Sequence, residues 1–464
     1  MTQSADSSNL PVANPWQQGN LIDIDIDDLS NSGDGVGRYD GRVVFVPDTV
    51  PGDRVRVRLL RVKPKYGNGK IQAMLKPSPQ RVRPSCIVAD KCGGCQWQVV
   101  SDEQQLTAKQ NEVIQALQRL GGIEEPPVDP VLPSPPLAYR NKVTYPLARS
   151  QGQVQAGYYQ KGSHRLVNLN QCPVQDERFN PLLAEVKLDI QARNWSIYNE
   201  QRHQGRLRHL GLRIGRRTGE MLLTLVTTEW GLTDIEEQAQ QWLDRYPNLV
   251  GVCLNRNGDR TNAIFGEETM CVAGRPYLIE QFADLKLHIH PATFFQVNTE
   301  QAEALVRVMQ DELALTGSEY LVDVYCGIGT LTLPLAQQAK GATGVELQDE
   351  AVEQAQLNAQ LNDITNVEFV VGRAERILAE TVRSLQAPPD VVLLDPPRKG
   401  CDRMVLDTLL EVQPQRIVYM SCNPATLARD LKHLIAGGYR LTRVQPADFF
   451  PQTAHVECVA FLVR

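Results

Sequence analysis

The chain has 464 residues, 42% hydrophobic and 22% charged, a composition ordinary for soluble protein and long enough for two or three separate cores. No apolar run reaches the roughly eighteen residues of a membrane span, and Met1 to Asn20 holds no signal-peptide core, so a cytoplasmic location without a membrane partner is expected. The net charge of −6 excludes a uniformly basic nucleic-acid binder, and ten cysteines without a secretory leader point away from a disulfide framework.

Residues 1–17 are expected to be a disordered tail. From Leu21 to Leu75 short alternating strands (Val43–Val46, Arg54–Val62 and Lys70–Leu75) are punctuated by Gly33, Gly35, Gly37, Gly41 and Gly52, which predicts a small OB-like β-barrel over residues 18–77. Alternation puts Val55, Val57 and Leu59 inside it and Arg54, Arg56 and Arg58 outside, a row placed to face an RNA strand. Arg54 to Arg83 contains ten Lys and Arg and no acid, and Arg202, Arg206, Arg208, Arg213, Arg216 and Arg217 form a second basic cluster of the kind that attracts phosphates.

The middle segment, 78–285, opens with Cys86, Cys92 and Cys95, which Cys172-Pro173 later joins. Ser101 reads as the N-cap of a helix over 101–120, with Gln104 three residues on and an apolar face of Leu106, Val113, Ile114, Leu117 and Leu120; Gly121-Gly122 ends it. The Pro-rich stretch from Glu125 to Pro136 reads as a linker, and Tyr139 to Leu285 reads mostly as strands, for example Val143–Leu147 and Met221–Val226.

Over 286–464 the pattern becomes regular βα alternation. Apolar runs at Tyr320–Tyr325, Ala342–Leu347, Val367–Val371, Val391–Leu394 and Ile417–Met420 predict a doubly wound parallel sheet. The short loop between Thr442–Asp448 and His455–Val463 requires a closing antiparallel hairpin.

The ends of these strands carry the chemistry. The first turn, Asp323-Val324-Tyr325-Cys326-Gly327-Ile328-Gly329, lacks a third glycine because position 332 is Thr332, so it cradles a pyrophosphate poorly. With Glu346 ending the second strand, where an acid binds ribose hydroxyls, and with the terminal hairpin, it points to S-adenosylmethionine rather than a dinucleotide. Asp395-Pro396-Pro397-Arg398, Ser421-Cys422-Asn423-Pro424 and the Asp448 to Glu457 stretch follow later strands, so a cysteine and two carboxylates converge on one crevice. Cys-x5-Cys-x2-Cys plus a distant Cys-Pro supplies four thiolates, enough for one cubane cluster or one tetrahedral zinc. A single short knuckle and the Cys-Pro pattern favour iron–sulfur.

Together with Phe294-Phe295-Gln296-Val297-Asn298, these motifs span nearly the whole chain, which closely resembles the RNA uracil-C5 methyltransferases, specifically the TRAM-domain, iron–sulfur group acting on 23S ribosomal RNA. The resemblance implies Cys422 as nucleophile, Glu457 as base, Gln296, Tyr325, Glu346 and Asp395 around S-adenosylmethionine, and Cys86, Cys92, Cys95 and Cys172 on a [4Fe-4S] cluster. Thr330 and Arg373 stand where some relatives carry Asn. A monomer that binds RNA and not DNA is expected. The rival readings are a transfer-RNA uridine-54 methyltransferase and a noncatalytic RNA-binding factor.

Overall fold

The computed structural model describes residues 15–385 and 387–464, so most of the expected tail lies outside the described residues. The chain divides into two compact units, Met1–Pro84 with Gln96–Gln104, and Ser85–Cys95 with Gln105–Arg464.

In the first unit β1 (Leu21–Leu29), β2 (Gly35–Tyr39), β3 (Arg42–Val46), β4 (Arg54–Val62) and β5 (Tyr66–Lys76) close a barrel in the order β1-β2-β3-β5-β4. Strict alternation drives the closure: Ile22, Ile24 and Ile26 bury against Val55, Val57 and Leu59. The arginines do point outward, but the row is not free for RNA along its length. The β1–β4 register sets Asp23 opposite Arg56 and Asp25 opposite Arg54. Arg56 donates to both Asp23 oxygens at 2.7 and 2.8 Å, while Arg54 lies 4.0 Å from Asp25. Trp97 joins this unit by donating its indole N–H to the Gly33 carbonyl at 3.1 Å.

Helix α1 (Asp102–Ala116) starts as expected, the Ser101 hydroxyl accepting the Gln104 N–H at 3.3 Å, and Gly122 ends the turn after it at φ 71°. Its buried side matches the expected face in part: Val113 and Leu117 are buried, but so are Gln105, Ala108 and Lys109, whereas Leu120 is 50% exposed. Polar partners in the loop after residue 447 rotate the helix, since Lys109 pairs with Asp448 at 2.5 Å and Gln105 with Gln452 at 3.3 Å.

In the second unit β6 (Lys142–Ser150), β7 (Gln153–Tyr159), β8 (Leu166–Asn168), β9 (Leu207–Ile214), β10 (Met221–Thr227), β11 (Leu249–Arg256) and β12 (Glu268–Gly274) form a sheet in the order β12-β11-β10-β9-β6-β7-β8. Helices α2 (Phe179–Ala192) and α3 (Ile235–Arg245) cover one face, packing Leu182, Val186 and Trp242 against Tyr145, Leu210, Leu212 and Leu223. Most of the second basic cluster meets acids or lies buried, so it does not present one continuous arginine face. Arg208 and Arg213 are buried, Arg216 pairs with Asp176 and Glu300, Arg217 with Glu303, and Arg206 with Glu229.

After the hairpin β13 (Leu278–Phe282) and β14 (Leu285–Ile289), helix α4 (Thr299–Leu313) leads into β15 (Tyr320–Val324), α5 (Thr332–Ala336), β16 (Gly341–Glu346), α6 (Asp349–Leu361), β17 (Val367–Val371), α7 (Ala374–Ser384), β18 (Val391–Leu394), α8 (Arg403–Val412), β19 (Arg416–Ser421), α9 (Pro424–Ala436), β20 (Arg440–Ala447) and β21 (Glu457–Val463). The strand order is β17-β16-β15-β18-β19-β21-β20, parallel except for β21, which inserts between β19 and β20. This is the expected doubly wound sheet closed by an antiparallel hairpin. The Pro-rich stretch is not a free linker. Asp129 and Leu132 donate to Val444 and Pro446 at 2.9 Å each, laying it along β20.

Candidate active site

The parallel strands end on one side of their sheet, so Asp323, Tyr325, Glu346, Asp395 and Cys422 are delivered to neighbouring strand ends. Tyr325 (φ 73°), Gly327 (φ 55°) and Gly329 (φ 84°) turn the first loop through the left-handed region. A bulky residue there is strained by about 1–3 kcal/mol, and such strain concentrates where a ligand must be met. A Cβ at position 329 would lie 2.9 Å from the Leu333 side chain, which keeps glycine there.

Glu346 holds that loop from the next strand. Its carboxylate accepts the Gly327 N–H at 3.1 Å and the Leu347 and Gln348 N–H groups at 2.7 and 3.0 Å. Thr332, in the place of a third glycine, donates its hydroxyl to buried Asp323 at 2.5 Å, while the other Asp323 oxygen has no hydrogen-bond partner. Burial, with Asp395 and Glu346 nearby, pushes the Asp323 carboxyl up to about 7, and burial does the same to Asp395. Three carboxyls around a loop, with no cation among the described residues acting on Asp323, fit a ligand that brings positive charge, as a sulfonium and an α-ammonium do. Gln296, itself buried, lies on the segment between β14 and α4, where its carbonyl accepts the Asn141 amide at 2.8 Å.

Cys422 follows β19 directly. Asn423 caps α9 by accepting the Ala425 N–H at 3.1 Å, and Pro424 opens the helix. In the β19–β21 register Ser421 stands opposite Cys458, so one step further Cys422 faces Glu457. Burial, then Glu457 and Asp395, push the Cys422 thiol up to about 11, with Arg398 pulling the other way. Glu457 is 5% exposed and is held well above the usual carboxylate range by burial and by Asp395. The helix start favours thiolate, but in the free protein burial and the two carboxyls outweigh it.

Arg398 is fixed through its backbone: its carbonyl accepts the Asn423 amide at 3.2 Å and the Thr426 hydroxyl at 3.4 Å. Buried Asp430 secures the rest of that loop, accepting the Cys401 N–H at 2.9 Å and the Tyr419 hydroxyl at 2.6 Å. His455 is exposed and meets Phe450 edge-on with ring centres 5.9 Å apart. Sequence reasoning assigned no role to Asp323 or Arg398. Asp323 lies one residue before the end of β15, and Arg398 is the first cation after Asp395-Pro396-Pro397, which were the available signals.

The other cysteine group sits in the β-rich half of the second unit. Buried Cys92 accepts the Gly94 N–H at 3.4 Å, and Cys172 accepts the Val174 N–H. Cys86 acts electrostatically on Cys92, and Cys86 and Cys95 on Cys172, each thiol making its neighbour harder to ionise. Among the described residues no three His, Cys, Asp or Glu side chains close on a single metal-ion position. Backbone N–H groups thus reach two of the four sulfurs, those of Cys92 and Cys172.

Residues 101–464 match the family described as tRNA (Uracil-5-)-methyltransferase, and residues 15–71 match the TRAM domain. The chain is 65% identical to an uncharacterized RNA methyltransferase of Nostoc sp. over 97% of each protein. It is 40% identical to one of Bacillus cereus over 97% of this chain and 98% of the other. Among solved structures, the Pyrococcus abyssi tRNA (uracil-54, C5)-methyltransferase in complex with S-adenosyl-L-homocysteine matches with a TM-score of 0.76 at 30% identity, covering 95% of this chain and 99% of that one.

Proposed function

This chain belongs to the tRNA (uracil-5-)-methyltransferase family and is an S-adenosylmethionine-dependent RNA uracil-C5 methyltransferase with a TRAM domain, and from that premise we propose that it modifies a uridine of 23S ribosomal RNA through a covalent bond to Cys422. The observation that carries the reading is that Cys422, one residue past Ser421, and Glu457, one residue before its partner Cys458, come to the same end of β19 and β21, where Glu457, Asp395 and Arg398 all act on the Cys422 thiol.

C5 of uracil is too weak a nucleophile to take a methyl group unaided. The Cys422 thiolate adds to C6, and the electron pair of the C5–C6 double bond moves onto C5 and O4 as an enolate. S-adenosylmethionine supplies an electrophilic methyl on its sulfonium. Once C5 carries both methyl and hydrogen, the Glu457 carboxylate removes that proton, and the returning electron pair expels the thiolate. Arg398 and the start of α9 stabilise the Cys422 thiolate. Because Cys422, Glu457 and Asp395 resist being charged together, the pocket needs a cationic ligand and bound substrate before its acids ionise.

Gln296, Tyr325, Glu346 and Asp395 would hold the cofactor, and the free oxygen of Asp323 suits its ammonium. Cys86, Cys92, Cys95 and Cys172 would hold a [4Fe-4S] cluster, which ties the segment around residue 90 to the strands near residue 172. In this division residues 18–77 grip RNA, 78–285 carry the cluster, and 286–464 perform the transfer on a uridine flipped out of its stack.

A second reading, methylation of transfer-RNA uridine 54, has one observation in its favour. The Pyrococcus abyssi enzyme aligns over 95% of this chain, so the N-terminal barrel does not separate the two substrates. Mass mapping of 5-methyluridine in ribosomal and transfer RNA from cells lacking the protein decides: loss from 23S RNA is expected, and loss confined to transfer RNA overturns the substrate. Unchanged levels in both would favour a noncatalytic RNA-binding role.

A further inference from the structure

One pair of side chains outside the proposed chemistry sets two positive charges against each other. Lys142 on β6 and Arg213 on β9 are directly opposed in the antiparallel register. They lie on the sheet face away from α2 and α3, because the alternate residues Val143, Tyr145, Leu210 and Leu212 belong to the packed core. Like charges set opposite each other destabilise a sheet, and buried charges are ordinarily paired. Half-buried Arg216 meets Asp176 and Glu300, and buried Arg208, whose Nε also lacks a partner among the described residues, donates to the carbonyls of Asn257, Asp259 and Thr261.

Arg213 is 4% exposed and donates from Nη2 to the Thr293 carbonyl at 2.5 Å; among the described residues its Nε and Nη1 are buried without an acceptor. Half-buried Lys142 forms no ion pair among the described residues, and the Phe265 ring lies over its ammonium at 4.9 Å. His209, further along the same face of β9, adds no negative charge. Burial, with Arg208 beside it, pulls that imidazole down to about 4 and keeps it neutral near pH 7. Burial and Arg213 also weaken the hold of Lys142 on its own proton. Both cations are therefore short of a counter-anion.

The position says which anion. Thr293, which Arg213 holds, directly precedes the Phe294–Asn298 motif. Asn141, next to Lys142, donates from its amide to the Gln296 carbonyl at 2.8 Å and from its backbone to the Val297 carbonyl at 2.9 Å. The two cations thus sit on the strands that brace the Gln296 segment.

We propose that Lys142, backed by Arg213, is a phosphodiester-binding site that fixes the RNA backbone beside the target uridine. The proposal rests on the RNA-methyltransferase reading and deepens it. Lys142 makes the contact, Phe265 moves off its ammonium as the phosphate arrives, and Arg213 supplies the second positive charge from beneath. A backbone contact of this kind positions the RNA without reading its sequence.

The test is equilibrium binding of the full-length protein to unmodified 23S ribosomal RNA and transfer-RNA transcripts across a salt series. For Lys142→Met the expected result is about tenfold weaker binding of both transcripts and a salt slope smaller by about one. Lys142→Arg should keep the parental slope, and Lys142→Met should melt at or above the parental temperature because a buried repulsion is gone. Binding of S-adenosylhomocysteine checks that each variant is folded, with Lys142→Gln as a second neutral form. A Lys142→Met protein with the parental affinity and slope overturns the proposal. So does inorganic phosphate that, at matched ionic strength, stabilises the parent while the RNA slope is the same in parent and variant, since the site would then hold a free anion. RNA binding is read without methyl transfer, so a failure of the covalent mechanism leaves this test intact.

Discussion

The Lys109 ammonium is wholly buried 2.5 Å from the Asp448 carboxylate and 3.1 Å from the Phe450 carbonyl, joining α1 to a loop 339 residues away. That loop runs from the end of β20 to Glu457, so the pair supports the proposed base from behind. Removing one partner of a buried pair strands the other charge, which typically costs about 3–5 kcal/mol. Lys109→Met should therefore lower stability by about that amount in urea unfolding, and Lys109→Met with Asp448→Asn should recover much of it. Equal stability of the single and double variants would show that the pair is not coupled.

Cys422 and Glu457 have separable predicted failures. Cys422→Ser should reduce methyl transfer by at least about a thousandfold and form no RNA adduct stable to denaturing gels. Glu457→Gln should still form the adduct but clear it slowly, so the cross-linked species accumulates while turnover falls by about 10²–10⁴-fold. Adduct formation by Cys422→Ser at the parental rate would move the nucleophile elsewhere.

Cofactor affinity should depend on pH through Asp323. Its carboxyl is raised to about 7, and the ionised form is the one that attracts a cation. Affinity for S-adenosylmethionine should rise as pH climbs from about 6 to about 8 and then level off, with proton release on binding visible by calorimetry in buffers of different ionisation enthalpy. Asp323→Asn should flatten that profile. In the empty protein the same shift acts against stability: between about pH 4 and 7 the unfolded carboxyl has lost its proton and the folded one has not, so raising pH favours unfolding.

Transfer itself should be alkaline-favoured. With the Cys422 thiol raised to about 11, kcat/KM should climb with pH above neutrality, and Arg398→Met, which removes the nearby cation, should shift the profile further toward alkali. A pH profile identical in parent and Arg398→Met would remove Arg398 from the site.

Anaerobically purified protein should contain about four iron atoms per chain with the broad visible absorbance of a cubane cluster. Cys92→Ser or Cys172→Ser should abolish both and destabilise the β-rich half of the second unit, measured by iron content and local hydrogen exchange. Full iron loading in either variant would break the ligand assignment.

Much of this was legible because it is local. Two-residue alternation drew the barrel strands, βα alternation drew the parallel sheet, and the short 448–457 loop required a hairpin. The errors share a cause. The Arg54–Arg58 row looked free until β1 brought Asp23 and Asp25 alongside, and the second arginine cluster looked available to phosphates until Asp176, Glu300 and Glu303 reached part of it. The expected face of α1 left out Lys109, which Asp448 draws into the interior. Each partner is remote in sequence, where periodicity carries no information.

The residues themselves set the period of each element, the strand ends that carry chemistry, and the residue types waiting there. Only the tertiary structure decided that β21 enters between β19 and β20, which turns Glu457 toward Cys422, and that Lys142 and Arg213 lie opposed with no acid between them. The reason is range: strand register and ion pairing are settled by contacts between distant segments, while helical and strand periods are settled by neighbours a few residues away.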